Sequence, residues 1–293
     1  MREMLETISA AARPTASEGR NAAYIPALAT VDPGKFALAV VTVDGAEYAV
    51  GDADEPFSIQ SISKLFTLAL AMDRVGEPLW ERVKREPSGM RFNSIIQLET
   101  EAGVPRNPFI NAGAIVVADA LLDIDPSAAG TMRDLMRSLS GDASIDYGSD
   151  VRRSEIETGD MNRAAAYLLK AKGNLRCDPR AATETYFGFC SLAISARALA
   201  RAARFLIQPD ASPLSAHAQR LRAIMRTCGL YDQSGEFAFR VGLPAKSGVG
   251  GGVLAANPAK GYVACAWSPP LDRYGNSVAA TAALERLAAE TGV

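Results

Sequence analysis

The sequence predicts an α+β fold in α/β/α layers: one antiparallel sheet assembled from both chain ends, with a helical block inserted between them. Three observations predict it. Residues 36–43 and 46–51 are apolar runs joined by Asp44-Gly45, a strong hairpin signal. Residues 237–241, 252–256 and 260–267 are short β-type runs separated by Gly, Pro and Asn. Between these ends, residues 115–122, 131–140, 154–172, 192–206 and 213–227 read as helices.

In order, residues 1–12 are expected as a helix followed by a polar break, and Asp52-Ala53-Asp54-Glu55-Pro56 as a turn after the hairpin. An apolar helix follows at 62–72. Residues 76–113 carry Gly and Pro repeatedly and read as a loop-rich stretch, of the kind that tends to be functional in a compact domain. A helix at 276–290 closes the chain. There is no internal repeat or low-complexity tract. The expected organisation is a single catalytic domain, residues 1–293, with a sheet lobe of about 1–75 plus 230–293 and a helical lobe of about 76–229.

At 48% hydrophobic and 22% charged, the composition is that of an ordinary globular protein, and the net charge of −2 comes without a dense basic block. Nucleic acid and membrane are therefore poor partners. No apolar run approaches the length of a membrane span, and the first residues do not read as an export signal. The four cysteines form no C-x-x-C, which fits reduced thiols and a cytoplasmic setting. The chain has one histidine, His217, in an arginine-rich helical context. Metal sites and histidine-based serine triads become unfavoured together, and no metal or cofactor is expected.

The apolar helix carries the sharpest signal. Lys64 stands near its start with no acidic residue inside the run. Burial of an unpaired lysine lowers its pKa towards the neutral amine. Ser61, three residues earlier, shares its helical face. A neutral amine beside a hydroxyl can activate a serine without histidine. Farther on, Lys246-Ser247-Gly248-Val249-Gly250-Gly251-Gly252 supplies glycines that let backbone amides approach a ligand, as an oxyanion hole requires, and a lysine that can bring positive charge to the same pocket. Ser-x-x-Lys followed by Lys-Ser/Thr-Gly on a strand is the pattern of the serine β-lactamases and penicillin-binding transpeptidases.

Longer blocks sharpen the resemblance. Tyr24-Ile25-Pro26, residues 57–64, Asn107 to Ala114, Gly159-Asp160-Met161-Asn162, residues 186–191, Cys228-Gly229-Leu230-Tyr231-Asp232, residues 237–249 and Trp267 to Asp272 resemble the serine-dependent glutaminases. That resemblance implies a β-lactamase/transpeptidase-like fold and hydrolysis of free L-glutamine to L-glutamate and ammonia through an acyl-serine. It makes Ser61 the nucleophile, Lys64 its base and Tyr231 an aid to proton transfer. It places the amides of Ser61 and Val249 in the oxyanion hole. Asn111, Glu155, Asn162 and Tyr186 would hold the substrate, with Tyr24 at the pocket edge. It also implies a homodimer or homotetramer. Met161 departs from the pattern, which has arginine there. Two rivals remain at this point: a β-lactamase or peptidase on the same fold, and a sensor that binds without turnover.

Overall fold

A computed structural model describes residues 1–90 and 92–292. Its strands are β1 (Ala37–Thr42), β2 (Glu47–Gly51), β3 (Pro56–Ser58), β4 (Asp146–Tyr147), β5 (Leu192–Ser195), β6 (Ala245–Ser247), β7 (Gly252–Asn257) and β8 (Tyr262–Trp267). The main sheet runs β2-β1-β8-β7-β6, antiparallel throughout, so strands from the two chain ends meet at the β1/β8 pair. The Asp44-Gly45 turn joins β1 to β2 with Gly45 at a φ of 89°, where a side chain would be strained.

Period-2 alternation divides the sheet's faces. Leu38, Val40, Val253, Ala255, Ala264 and Ala266 pack against the terminal helices Arg2–Ala12 and Val278–Thr291. Ala37, Ala39, Val41, Leu254, Cys265 and Trp267 face the inserted helices instead. Both faces are covered, which is the expected α/β/α layering. A second, three-stranded sheet has the order β3-β5-β4, and its strand β3 leads through a short turn into the helix Ser63–Arg74.

Four local expectations change. Residues 237–241 are not a strand but the end of the helix Ser234–Val241. Phe237 and Val241 are buried at helical spacing while Phe239 is 88% exposed, and Gly242 ends the helix in the left-handed region. Residues 154–172 form two helices, Ser149–Thr158 and Asp160–Ala171, broken at Gly159. A Cβ there would stand only 3.0 Å from a Phe187 ring carbon, so Gly159 admits that ring. Residues 192–206 begin as β5, and Ser195 then caps the helix Ala196–Ala202 by accepting from the Ala198 amide. Residues 213–227 open as a 3-10 turn, Pro213–His217, before the helix Ala218–Cys228. The helix Pro179–Cys190 lies outside the predicted elements, although Asp178 caps it and Pro179 opens it.

Candidate active site

β3 delivers the chain to a single 3-10 turn, Gln60–Ile62, that runs directly into the helix Ser63–Arg74. Ser61 is on that turn. Gln60 before it has a φ of 48°, a conformation that a residue with a side chain keeps only when its neighbours fix it. The helix is buried from Ser63 to Met72, so it carries Lys64 into the interior. Lys64 is 1% exposed. Its Nζ donates to the Phe109 carbonyl at 3.1 Å and to Asn111 Oδ1 at 2.7 Å. Both partners are neutral, and burial pushes the amine down to about 8, with Cys190 and Glu155 opposing.

Tyr231 opens the 3-10 turn Tyr231–Gln233 at a φ of 54°. Its buried hydroxyl closes no hydrogen bond among the described residues. Burial drives its pKa far above the ordinary tyrosine value, and the adjacent Ser61 and Ser247 hydroxyls oppose that rise. One side of the ring packs on Phe92, with centroids 4.7 Å apart. Lys246 Nζ lies 4.8 Å from the centroid. The lysine is otherwise sealed, donating to the carbonyls of Gly229 at 3.1 Å and Ser247 at 2.6 Å. Burial and the charge of Lys64 hold its pKa well below the usual lysine value. It is therefore a weaker cation than its place in the sequence suggests.

The turn after β6 packs onto Ser61. A Cβ on Gly248 would lie 3.2 Å from the Ser61 amide nitrogen, so only glycine lets the two backbones approach. Among the described residues, neither the Ser61 nor the Val249 amide donates to a protein acceptor. Two unspent donors beside a buried serine are what an oxyanion hole needs.

Glu155, on the helix Ser149–Thr158, is 6% exposed. Burial pushes its carboxyl up to about 7, while the Gln60 side chain and Lys64 oppose. Asn111 begins the helix Asn111–Ile124 and knits the remaining polar groups together. Its Nδ2 donates to Asn162 Oδ1 at 2.9 Å, and its Oδ1 accepts from Lys64 and, at 3.3 Å, from the Tyr186 hydroxyl. Tyr24 is 56% exposed, yet its hydroxyl is close enough to Tyr231 and Glu155 for burial and their charges to raise its pKa. The backbone bridge from Arg20 to Leu271 ties this segment down beside the site.

The candidate catalytic and substrate-binding residues singled out in the sequence thus converge on one cluster. His217 does not; it lies 4.0 Å from Asp73 at the far end of the central helix. Ser61, Lys64 and Glu155 line neither of two cavities nearby. One of about 450 Å³ backs onto Phe92, Phe109 and Tyr231. An open depression of about 710 Å³ ends against Tyr24 and Phe92. Sequence reasoning missed Gln60, Cys190 and the Phe109 carbonyl. Gln60 adjoined the motif, but a backbone carbonyl leaves no mark in a sequence.

The family model described as glutaminase matches residues 19–293. The glutaminase of Rhizobium rhizogenes strain K84 is 48% identical over 301 residues, covering 100% of this chain and 97% of that protein. Among solved structures, a probable glutaminase, YbaS, superposes with a TM-score of 0.91 at 36% identity over 100% of this chain and 98% of its own. A probable glutaminase from Bacillus subtilis, complexed with 6-diazo-5-oxo-L-norleucine, superposes at 0.88 with 31% identity over 99% and 95%.

Proposed function

This chain belongs to the glutaminase family and hydrolyses glutamine to glutamate, and we propose that it does so through an acyl-enzyme on Ser61. The observation that carries the mechanism is Lys64: buried, bound only to neutral oxygens, held down to about 8, and three residues on from the candidate nucleophile where the 3-10 turn runs into the helix.

Neutral Lys64 accepts the Ser61 proton, with Tyr231 adjoining the path, as the serine oxygen bonds to the side-chain carbonyl carbon of L-glutamine. Charge developing on the carbonyl oxygen is met by the Ser61 and Val249 amides. The C–N bond breaks, the departing nitrogen takes the proton, and ammonia leaves. Water then attacks the acyl-serine, yielding the carboxylate of glutamate and restoring the hydroxyl. Glu155 takes the substrate's α-ammonium. Asn162 and Tyr186, each bonded to Asn111 in the free protein, turn donors with it to the α-carboxylate, and Tyr24 stands at the pocket edge. Free glutamine carries one cation and one anion beside a neutral amide, and the site offers a partner for each.

Two further parts belong to the proposal: action in the cytoplasm, which the four free thiols favour, and assembly as a homodimer or homotetramer, which rests on family likeness. No described helix is long and apolar enough to cross a membrane.

The mechanism is tested by ammonia release from L-glutamine with Ser61→Ala and Lys64→Ala. Both should lose at least about a thousandfold in kcat, as removal of a nucleophile or its base does elsewhere. Undiminished turnover by Ser61→Ala would overturn it.

A further inference from the structure

We infer that Asn276 is a positioning residue: its carboxamide sets the peptide group that precedes Tyr231 and so aims the tyrosine ring. The inference rests on the proposed place of the Tyr231 hydroxyl beside the proton path from Ser61 to Lys64.

The left-handed φ of Tyr231 is uncommon for a residue with a side chain and lasts only where the surroundings enforce it. Two peptide groups must be fixed, because φ and ψ are the rotations that join them to the tyrosine Cα and direct its Cβ. The group after Tyr231 is held from within the turn. Ser234 Oγ accepts from the Leu230 amide at 3.0 Å and donates to the Tyr231 carbonyl at 2.8 Å. The group before Tyr231 carries the Leu230 carbonyl, which accepts from the Gln233 amide at 3.0 Å and from Asn276 Nδ2 at 3.2 Å. Asn276 Nδ2 also donates to Gln233 Oε1 at 2.6 Å. Of these bonds, the two from Asn276 come from outside residues 230–234 and tie the turn to the rest of the fold.

The anchor is itself fixed. Asn276 is 1% exposed. Its amide donates to Asp272 Oδ1 at 3.0 Å, and its carbonyl accepts from the Asp272 amide at 2.8 Å. Ser277, next in the chain, donates to the Ser268 carbonyl at 2.6 Å and caps the helix Val278–Thr291 by accepting from the Ala280 amide. The same loop reaches the ring directly: a Cβ on Gly275 would stand 3.6 Å from Tyr231 Cε2 and 3.5 Å from Val249 Cγ1. Asn276 therefore ties Tyr231 to the end of β8 and the start of the last helix, elements that hold no proposed catalytic group.

A double-mutant cycle of Asn276→Ala and Tyr231→Phe, with kcat and KM for L-glutamine measured separately, tests this. Tyr231→Phe keeps the ring and removes the hydroxyl, and should lower kcat about a hundredfold. Asn276→Ala should lower kcat about tenfold and leave KM within about twofold, since a misaimed proton-transfer group costs rate rather than binding. In the Tyr231→Phe background, Asn276→Ala should cost nothing further. A wild-type kcat in Asn276→Ala, a change confined to KM, or effects that multiply in the double variant would overturn the inference while leaving the role of Tyr231 standing. A wild-type kcat in Tyr231→Phe would overturn both. If Asn276→Ala melts below assay temperature, Asn276→Leu, which fills the space without a donor, replaces it. A lowered kcat there supports the inference, and a wild-type kcat overturns it.

Discussion

Acidification should switch this enzyme off at two places that kinetics can separate. As the proposed base, Lys64 must act as the free amine, which burial holds down to about 8; as the proposed partner of the ammonium, Glu155 must be ionised, and burial pushes its carboxyl up to about 7. The signs agree, since both groups must lose a proton. At pH 6, about 1% of Lys64 is free base and about 9% of Glu155 is ionised, against about 76% and about 97% at pH 8.5. The quantity kcat/KM reports the free enzyme and needs both groups. It should fall about 800-fold between pH 8.5 and 6, with a logarithmic slope near two at the acid end. In the substrate complex the ammonium keeps Glu155 ionised, so kcat should fall only about 80-fold, with a slope of one. Because the two groups attract each other, the observed values belong to the pair. Initial rates of glutamate formation at saturating and at limiting glutamine, in constant ionic strength, provide both curves. A kcat independent of pH across this range would refute Lys64 as the base. Parallel curves for kcat and kcat/KM would refute the separate role of Glu155.

Two further outcomes follow from the same geometry. Gly248→Ala should lower kcat about a hundredfold with little change in KM, because a methyl 3.2 Å from the Ser61 amide displaces one wall of the oxyanion hole; full activity in a folded variant would show that the wall can give. Glu155→Gln should be more stable than wild type at pH 7–8. Its carboxyl is raised from 4.5 to about 7, so the stability it lends is complete below about 4.5 and lost as pH rises through about 7. The difference is worth at most about 3 kcal/mol. Denaturant melts at pH 4 and 7.5 should show the gap only at the higher pH.

The fold was readable wherever local chemistry decided structure. Asp44-Gly45 fixed the hairpin, and the two apolar runs it joins became the paired strands β1 and β2. It was misread where packing decided. Phe237, Phe239 and Val241 alternate like a strand, yet a helix buries the first and last and leaves Phe239 in solvent. Leu192 to Ser195 has ordinary helix-compatible residues, and only its pairing with Pro56–Ser58 and Asp146–Tyr147 makes it a strand. The site's members came from motifs, but their connections came from the fold. Nothing in the sequence said that Asn111 would bond Lys64, Asn162 and Tyr186 together.

The proposed catalytic amine and the buried helix around it are one physical fact. Lysine in water is a cation at neutral pH and cannot accept a proton from serine. In the proposed mechanism no histidine is needed, because the helix that begins one residue before Lys64 is buried from Ser63 to Met72 and packing it removes the water that would hold the charge. Removing every polar neighbour would strand the amine, and a carboxylate paired with it would restore the cation. The Phe109 carbonyl and the Asn111 amide oxygen lie between those limits, as acceptors without full charge. Glu155 is near enough to oppose the shift yet forms no bond to the amine, which places the resting value near 8 rather than at either extreme.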